Sequence, residues 1–402
     1  MASELRWAST EVDALTADHL LTHRRELHAV PELSFKEFET SRYLVERLDA
    51  LLPDRLEAGV AGTGVVADVK GARPGRAVLV RADIDGLPIQ EAGELAFRST
   101  HRGVMHACGH DVHMAIALEV ARALAERRAQ LSGMVRFAFQ PAEERAGGAA
   151  PMIQAGVLDG IDRVIGLHVW SELPVGQVSV RAGAMMAGAD MFTLRIRGLG
   201  GHGAQPQFAV DAVLIAAQVV SALQTLASRE TAPAAPIVIT LGSVHGGTAA
   251  NIVAGEVLIQ GTLRTLDPAL RTHSLRRIAE LAEGIATAMR GQCEFKLESA
   301  APPVINDGPV AAMVADAARA VVGEGAVVAF EPLMVGEDFA YFLQARPGCF
   351  FLLGGAPEGP RVGHHTAEFR IDEQCLSIGF RVMTAAVLRL LQPARRPTRV
   401  AR

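Results

Sequence analysis

Three apolar runs in the first half of this chain each stop just short of a side chain that can bind a metal ion, and this constrains the fold most. Ala77–Arg81 leads to Asp83 and Asp85, Val135–Phe139 to Glu143 and Glu144, and Arg163–Leu167 to His168. Helix-patterned stretches accompany them at Leu15–His28, Lys36–Leu51 and Val112–Gln130. Strands separated by helices predict an α/β fold with a mostly parallel sheet covered on both faces. In such a sheet the loops beyond the carboxyl ends of the strands converge, and ligands bind there. Acids and a histidine from separate loops are therefore expected at one edge.

The stretch Met105-His-Ala-Cys-Gly-His-Asp-Val-His113 adds four metal-competent side chains, Cys108, His110, Asp111 and His113. Packed so closely, they suit a divalent ion that activates water, which takes about three to five N, O or S ligands and one open position. Cys108 and His110, two residues apart in a loop, can face one ion. His113 falls in the first turn of the next helix and need not reach it; with Asp111 it reads as a capping or ligand-orienting group. Adjacent carboxylates at Glu143-Glu144 suggest divided labour, one binding metal and the other taking a proton from water. Asp85 reads first as a turn cap, and His364-His365 lies in a Gly-rich loop after the last strand.

Near Arg181–Met191 the pattern changes. Strand-like Ala189–Arg197, helix-like Ala209–Ser228, strands Ile237–Val244 and Val257–Arg264, a helix opened by Asp267-Pro268, and a strand Gln292–Glu298 follow in turn. The order β-α-β-β-α-β is ferredoxin-like. Beyond it come a helix Val310–Val322, a helix from Glu337, a strand Cys349–Leu353 and a closing helix near Ile378–Leu391. The chain thus reads as a discontinuous metal-binding domain, residues 1–186 and 303–402, with a ferredoxin-like domain inserted at 187–302.

Half the residues are hydrophobic and 21% charged, a folded composition. A net charge of −5 without a Lys/Arg run argues against a nucleic-acid partner; the mildly basic tail Ala394–Arg402 reads as frayed. Cys108, Cys293, Cys349 and Cys375 lack framework spacing and point to free thiols in a reducing compartment. The start, Met1–Trp7, has no signal-peptide pattern, and Ala209–Ser228 carries Asp211, Gln218, Ser221 and Gln224, unlike a membrane span. A cytoplasmic protein with no membrane partner is expected.

These motifs resemble those of the M20 metallopeptidases, in the amidohydrolase branch that includes hippurate hydrolases, N-acyl-amino-acid amidohydrolases and auxin-conjugate hydrolases. The resemblance rests on His28-Ala-Val-Pro-Glu-Leu-Ser-Phe35, Arg81-Ala-Asp-Ile-Asp-Gly-Leu-Pro88, His106–His113, Gln140-Pro-Ala-Glu-Glu144, Gly200-Gly-His-Gly-Ala-Gln-Pro206, Asn251-Ile252 and Gly336-Glu-Asp-Phe339, in the family's order. It implies two divalent metal ions held by Cys108, His110, Glu144, His168 and His365, with Glu143 as general base and Asp83 orienting a ligand. It further implies that His202 reaches the partner subunit's active site and helps hold the oxyanion, in a homodimer formed through the inserted domain. Asn251 and Arg264 would bind the substrate's terminal carboxylate. Thiolate and imidazole favour Zn, Co or Ni, and the resemblance also allows Mn. His365 is preferred to His364 for its spacing to Phe369. Ala367 and Arg370 depart from the family's pattern, which often has Pro and an acid there, but neither is a ligand.

The implied activity is hydrolysis of N-acyl amino acids, or small amino-acid conjugates, to a free amino acid and a carboxylic acid. The same machinery would serve a dipeptidase, a carboxypeptidase or a biosynthetic deacetylase. A non-catalytic metal- or carboxylate-binding protein would have lost a ligand or the base, and this chain keeps them all.

Overall fold

The computed structural model describes residues 12–360 and 362–392. The N-terminal stretch Met1–Trp7 and the tail Ala394–Arg402 lie outside the described residues. The chain divides into two compact units, Met1–Gly183 with Ile305–Glu331 and Tyr341–Arg402, and Ala184–Val304 with Pro332–Ala340.

The first unit is built on an eight-stranded sheet. Its strands are β1 (Arg55–Val60), β2 (Gly64–Lys70), β3 (Arg73–Asp83), β4 (Ser132–Gln140), β5 (Arg163–Pro174), β6 (Val178–Ser179), β7 (Val327–Val328) and β8 (Gly348–Ala356). Their order is β1-β2-β4-β3-β5-β8-β6-β7. The central β4, β3, β5 and β8 are parallel, and a β1–β2 hairpin adds antiparallel strands at one side. In β3, Val78 and Val80 point to one face and Leu79 and Arg81 to the other, and all four are buried. Both faces of the sheet are therefore covered. Residues of helices Ala14–Ala29, His110–Ala125, Gly308–Val322 and Gln374–Leu390 join Val65, Val78 and Val80 in one apolar cluster.

Several sequence-based boundaries need correction. The β1–β2 hairpin was not legible, because Asp68 interrupts the apolar run of β2; it is buried there by a two-pronged pair with Arg136 of β4 (2.7 and 2.8 Å). The helix expected from Val112 starts at His110, because Gly109 takes the left-handed conformation (φ 90°) at its N-cap and turns the chain early. The helix expected from Glu337 begins at Ala340. The strand read as ending at Leu167 continues through His168 to Pro174. Register still puts His168 level with the end of β3. Arg81 pairs with Gly166, so two residues on, Asp83 and His168 stand side by side.

The second unit has a four-stranded antiparallel sheet in the order Ile237–Gly246, Glu256–Thr265, Gly188–Arg197, Gln292–Ala301. With helices Ala212–Thr225 and Pro268–Ala288 this is the ferredoxin-like arrangement. Asp211 and Asp267 cap the two helices through their side chains. By length and composition alone Ala212–Glu230 could cross a membrane. Ala212, Ile215, Val219 and Leu223 pack against Phe192, Leu194 and Ile259 of the unit's own sheet. The segment Pro332–Ala340, read in sequence with the first domain, joins this unit because Leu333 exchanges backbone hydrogen bonds with Met185 and Ala187.

Candidate metal centre

The loop that leads into helix His110–Ala125, the turn after β4, the middle of β5 and the loop after β8 bring Cys108, His110, Glu143, Glu144, His168 and His365 into one region of the first unit. Their ligand atoms form overlapping groups, each within 4.8 Å: Cys108 with His110 and His168, Cys108 with Glu144 and His365, and His110 with Glu143 and Glu144. Gly109 makes this possible, since its φ of 90° reverses the chain between Cys108 and His110. An added Cβ would also stand 2.3 Å from Val169 Cγ1. Gly109→Ala is expected to destabilise the protein by about 2–4 kcal/mol, from strain plus overpacking, as read by urea denaturation.

The turn carrying the paired glutamates is held by side chains that sequence reading undervalued or missed. Ala142 has a positive φ (53°), and Glu143–Arg145 forms a 3-10 turn. Its N–H groups need partners, and buried acids supply them. Asp85 accepts from Glu143 N–H and Glu144 N–H (both 3.1 Å) and from Ser34 Oγ (2.7 Å). Glu37 accepts from Ala142 N–H (2.9 Å) and Thr63 Oγ1 (2.5 Å). Asp85 is thus more than the turn cap that the sequence suggested. Glu37 carried no signal, being one more acid at a helix start.

The imidazoles are oriented one nitrogen at a time. His110 Nδ1 donates to Asp85 O (2.8 Å), which leaves Nε2 buried and unpaired. That nitrogen faces carboxylate oxygens of Asp83 (3.7 Å), Glu144 (3.8 Å) and Glu143 (3.9 Å). His168 Nδ1 donates to Val169 O (2.7 Å), turning Nε2 toward Cys108 Sγ (3.4 Å). His365, at φ 61°, is anchored through its N–H to Ala107 O (2.9 Å), and its Nε2 lies 3.4 Å from Glu144 Oε2. His364 is engaged elsewhere, accepting from Ser171 N–H (3.1 Å) and packing on Trp170. His113 is also engaged at both ends: Nδ1 donates to Asp83 (2.6 Å) and Nε2 accepts from Val169 N–H (2.9 Å).

The electrostatics call for a cation. Burial pushes His110 down, but Asp83, Asp85 and Glu144 outweigh it and raise its pKa to about 10. Burial would raise Asp83, yet Arg81, His110 and His113 hold it well below the usual carboxylate range. Burial pushes His168 well down, so it is a neutral imidazole able to coordinate. Burial, with Glu144, Glu143 and Asp83, pushes the Cys108 thiol well up, so it needs a nearby positive ion to become a thiolate ligand. Glu144 Oε1, like His110 Nε2, is buried without a partner. An unpaired imidazole nitrogen facing carboxylates, beside a thiol and a neutral imidazole, fits a divalent metal ion, which would take the place of the proton those carboxylates otherwise hold on His110.

Behind the centre, Asp111 contacts His28 Nδ1 (2.8 Å) and Arg24 Nε (3.1 Å), and His28 Nε2 lies 3.3 Å from Glu91. Burial works against both charges, but Arg24 and His28 hold Asp111 below its ordinary pKa, and Asp111 and Glu91 raise that of His28. The Asp111 contribution to stability is present above about pH 4 and lost as pH falls through its depressed value. The His28 contribution is present below about pH 6.5 and lost as pH rises through its raised value. His28→Gln is expected to flatten both branches in urea midpoints measured against pH.

His202, Asn251 and Arg264 lie in the second unit. His202 pairs with Ile252 in a short two-stranded ladder, and Asn251 O accepts from Gly203 N–H (2.8 Å), so the first two are neighbours. His202 Nδ1 accepts from Ala204 N–H (3.0 Å), which places the proton on Nε2. Arg264 stands on the four-stranded sheet and donates to Met334 O (3.2 Å).

The sequence pattern of peptidase family M20/M25/M40 matches residues 79–389. The chain is 40% identical to an N-acetyl-L-cysteine deacetylase of Bacillus subtilis, over 92% of this chain and 88% of that one. It is 45% identical to an N-acyl-L-amino acid amidohydrolase of Geobacillus stearothermophilus, over 73% of this chain and 80% of that one. The Bacillus subtilis YXEP protein, a dinuclear metal binding peptidase, superposes with a TM-score of 0.82 at 35% identity, covering 94% of this chain and 99% of that one.

Proposed function

This chain belongs to peptidase family M20/M25/M40, and from that premise we propose that it hydrolyses the amide bond of N-acyl amino acids in a two-metal site. The observation that carries the proposal is the buried, unpaired His110 Nε2 and Glu144 Oε1 beside Cys108 and His168. Cys108, His110, Glu144, His168 and His365 would hold two divalent ions, drawn from zinc, cobalt, nickel or manganese. When bound, such ions polarise the amide carbonyl and lower the pKa of a water molecule.

Glu143 takes the proton from the attacking water and returns it to the departing amine. It lies on the same turn as the ligand Glu144, and Asp85 holds both residues by their backbone N–H groups. Asp83, fixed by Arg81 (2.6 Å), keeps His113 and the edge of the site in place and favours positive charge near His110. His202 donates from Nε2 to the developing oxyanion in the partner copy's site of a homodimer. Its tautomer supports this role. Exposed Phe208, Val213, Leu214 and Ile252 on the inserted domain supply an apolar face for such a dimer. Asn251 and Arg264 bind the substrate's carboxylate.

The test is amine release from N-acetyl, N-benzoyl and dipeptide substrates by chelator-stripped protein given each metal in turn. Metal-dependent release, best for an acyl amino acid, is expected. Preference for dipeptides would instead make the protein a dipeptidase. No release by metal-loaded protein would overturn the reading.

A further inference from the structure

Away from this centre, Glu119 is a carboxylate only 1% exposed on helix His110–Ala125, beside Leu118 and Val120. A buried charge needs strong partners. Oε2 has them in Arg122 Nε and Nη2, both at 2.8 Å. Oε1 instead faces two imidazoles of helix Ala14–Ala29, His19 Nδ1 at 3.5 Å and His23 Nε2 at 3.6 Å. Both are too long for good hydrogen bonds.

The far side of His23 fixes its tautomer. Tyr43 O–H donates to Glu26 Oε2 (2.7 Å), so the Tyr43 oxygen accepts the Nδ1–H of His23 (2.7 Å). In the neutral ring, Nε2 then points a lone pair at a carboxylate oxygen. A proton shared between them would draw the pair to about 2.7–2.9 Å. Two ligand atoms each about 2.0–2.1 Å from a tetrahedral ion stand about 3.3 Å apart, much nearer the observed spacing. A ligand histidine whose other N–H is held by a neighbour, and a ligand carboxylate held by an arginine, are the supports that metal sites use.

His19 and His23 are four residues apart on one helix face, the spacing at which two histidines share a zinc ion. Their ring centroids are 6.2 Å apart. His19 is 35% exposed, and its ring has to turn for its ligand atom to come within coordinating reach of an ion shared with His23. A cavity of about 320 Å³ lined by His19, His23, Glu26, Arg47, Glu119 and Arg122 leaves space for water ligands. The rim arginines are already paired, Arg47 with Glu26 (3.3 Å) and Arg122 with Glu119 (2.8 Å).

We propose that His19, His23 and Glu119 form a separate divalent-metal site for an ion of the zinc class: zinc, cobalt or nickel. Such an ion bolts helix Ala14–Ala29 to helix His110–Ala125, the helix that begins at His110. The site does not depend on the hydrolase reading.

The experiment titrates chelator-stripped full-length protein with zinc or cobalt by calorimetry and absorbance, comparing the wild type, the double variant His19→Ala/His23→Ala, and Tyr43→Phe. The wild type should bind one equivalent more than the double variant. The extra cobalt should show ligand-field absorption without a thiolate charge-transfer band, because no cysteine takes part. Tyr43→Phe should weaken that equivalent about 10-fold, and amide hydrolysis should be unchanged in every variant. Equal stoichiometry in wild type and double variant would overturn the proposal. Should the double variant fail to fold by circular dichroism, unchanged metal affinity in Tyr43→Phe would overturn it equally.

Discussion

Glu143→Gln is expected to keep its metal and lose about 10²–10⁴-fold in the rate of amide hydrolysis, the usual worth of a general base. The substitution preserves the shape of the side chain, and the turn holding it is fixed by backbone contacts to Asp85, which it leaves intact. What is lost is the capacity to take a proton from water and hand it to the leaving amine. Metal content measured on the purified variant separates this role from coordination. A base variant stays loaded, whereas Glu144→Gln should bind metal more weakly, because it replaces a carboxylate whose Oε1 is a buried, unpaired oxygen facing His110. If Glu143→Gln lost metal as readily as Glu144→Gln, Glu143 would be a ligand and the proton acceptor would have to be sought elsewhere.

Asp85→Ala is expected to have the second largest effect, through position rather than chemistry. Asp85 is 1% exposed, and its carboxylate accepts from Ser34 Oγ, Glu143 N–H and Glu144 N–H. Removing it strands three donors in a water-poor site, each at about 1–3 kcal/mol. The protein should lose about 3–5 kcal/mol of stability by urea denaturation, allowing for partial relaxation. The freed turn misplaces both glutamates, and misplacement of about 1 Å can lower turnover about 10²-fold. Asp85→Asn keeps one acceptor oxygen and should fall between the two. Wild-type stability in Asp85→Ala would show that the turn is held by something else.

Much of the architecture could be read from residues because the central strands are apolar and stop at polar punctuation. The inserted unit was legible for the same reason, with Asp211 and Asp267-Pro268 marking its helix starts. The β1–β2 hairpin was hidden by Asp68, whose burial depends on Arg136 from a distant strand. The end of β5 was misread because a polar His168 looks like a terminus, although Val169 and Trp170 continue the strand beyond it.

The candidate ligands stood out because Cys108 and His110 crowd one short loop and Glu143-Glu144 follows an apolar strand, places where such groups are costly without a use. The residues that hold them in place did not stand out. Asp85, Glu37 and Ser34 act on backbone N–H groups or on one another across the fold, and such pairings leave no local pattern in a sequence. Glu119 reads in sequence as one acid on an apolar helix. Its setting becomes visible only when Tyr43 and two histidines from another helix are placed around it.

The most direct test of the metal-centre account is a cobalt titration of chelator-stripped wild-type protein, following amine release and the thiolate-to-cobalt band together. Both should start near zero and rise in step. Cys108→Ser should lose the band and bind the ion more weakly. Full hydrolysis by the stripped protein, or activity restored without any thiolate band, would contradict a centre built on Cys108, His110, Glu144, His168 and His365.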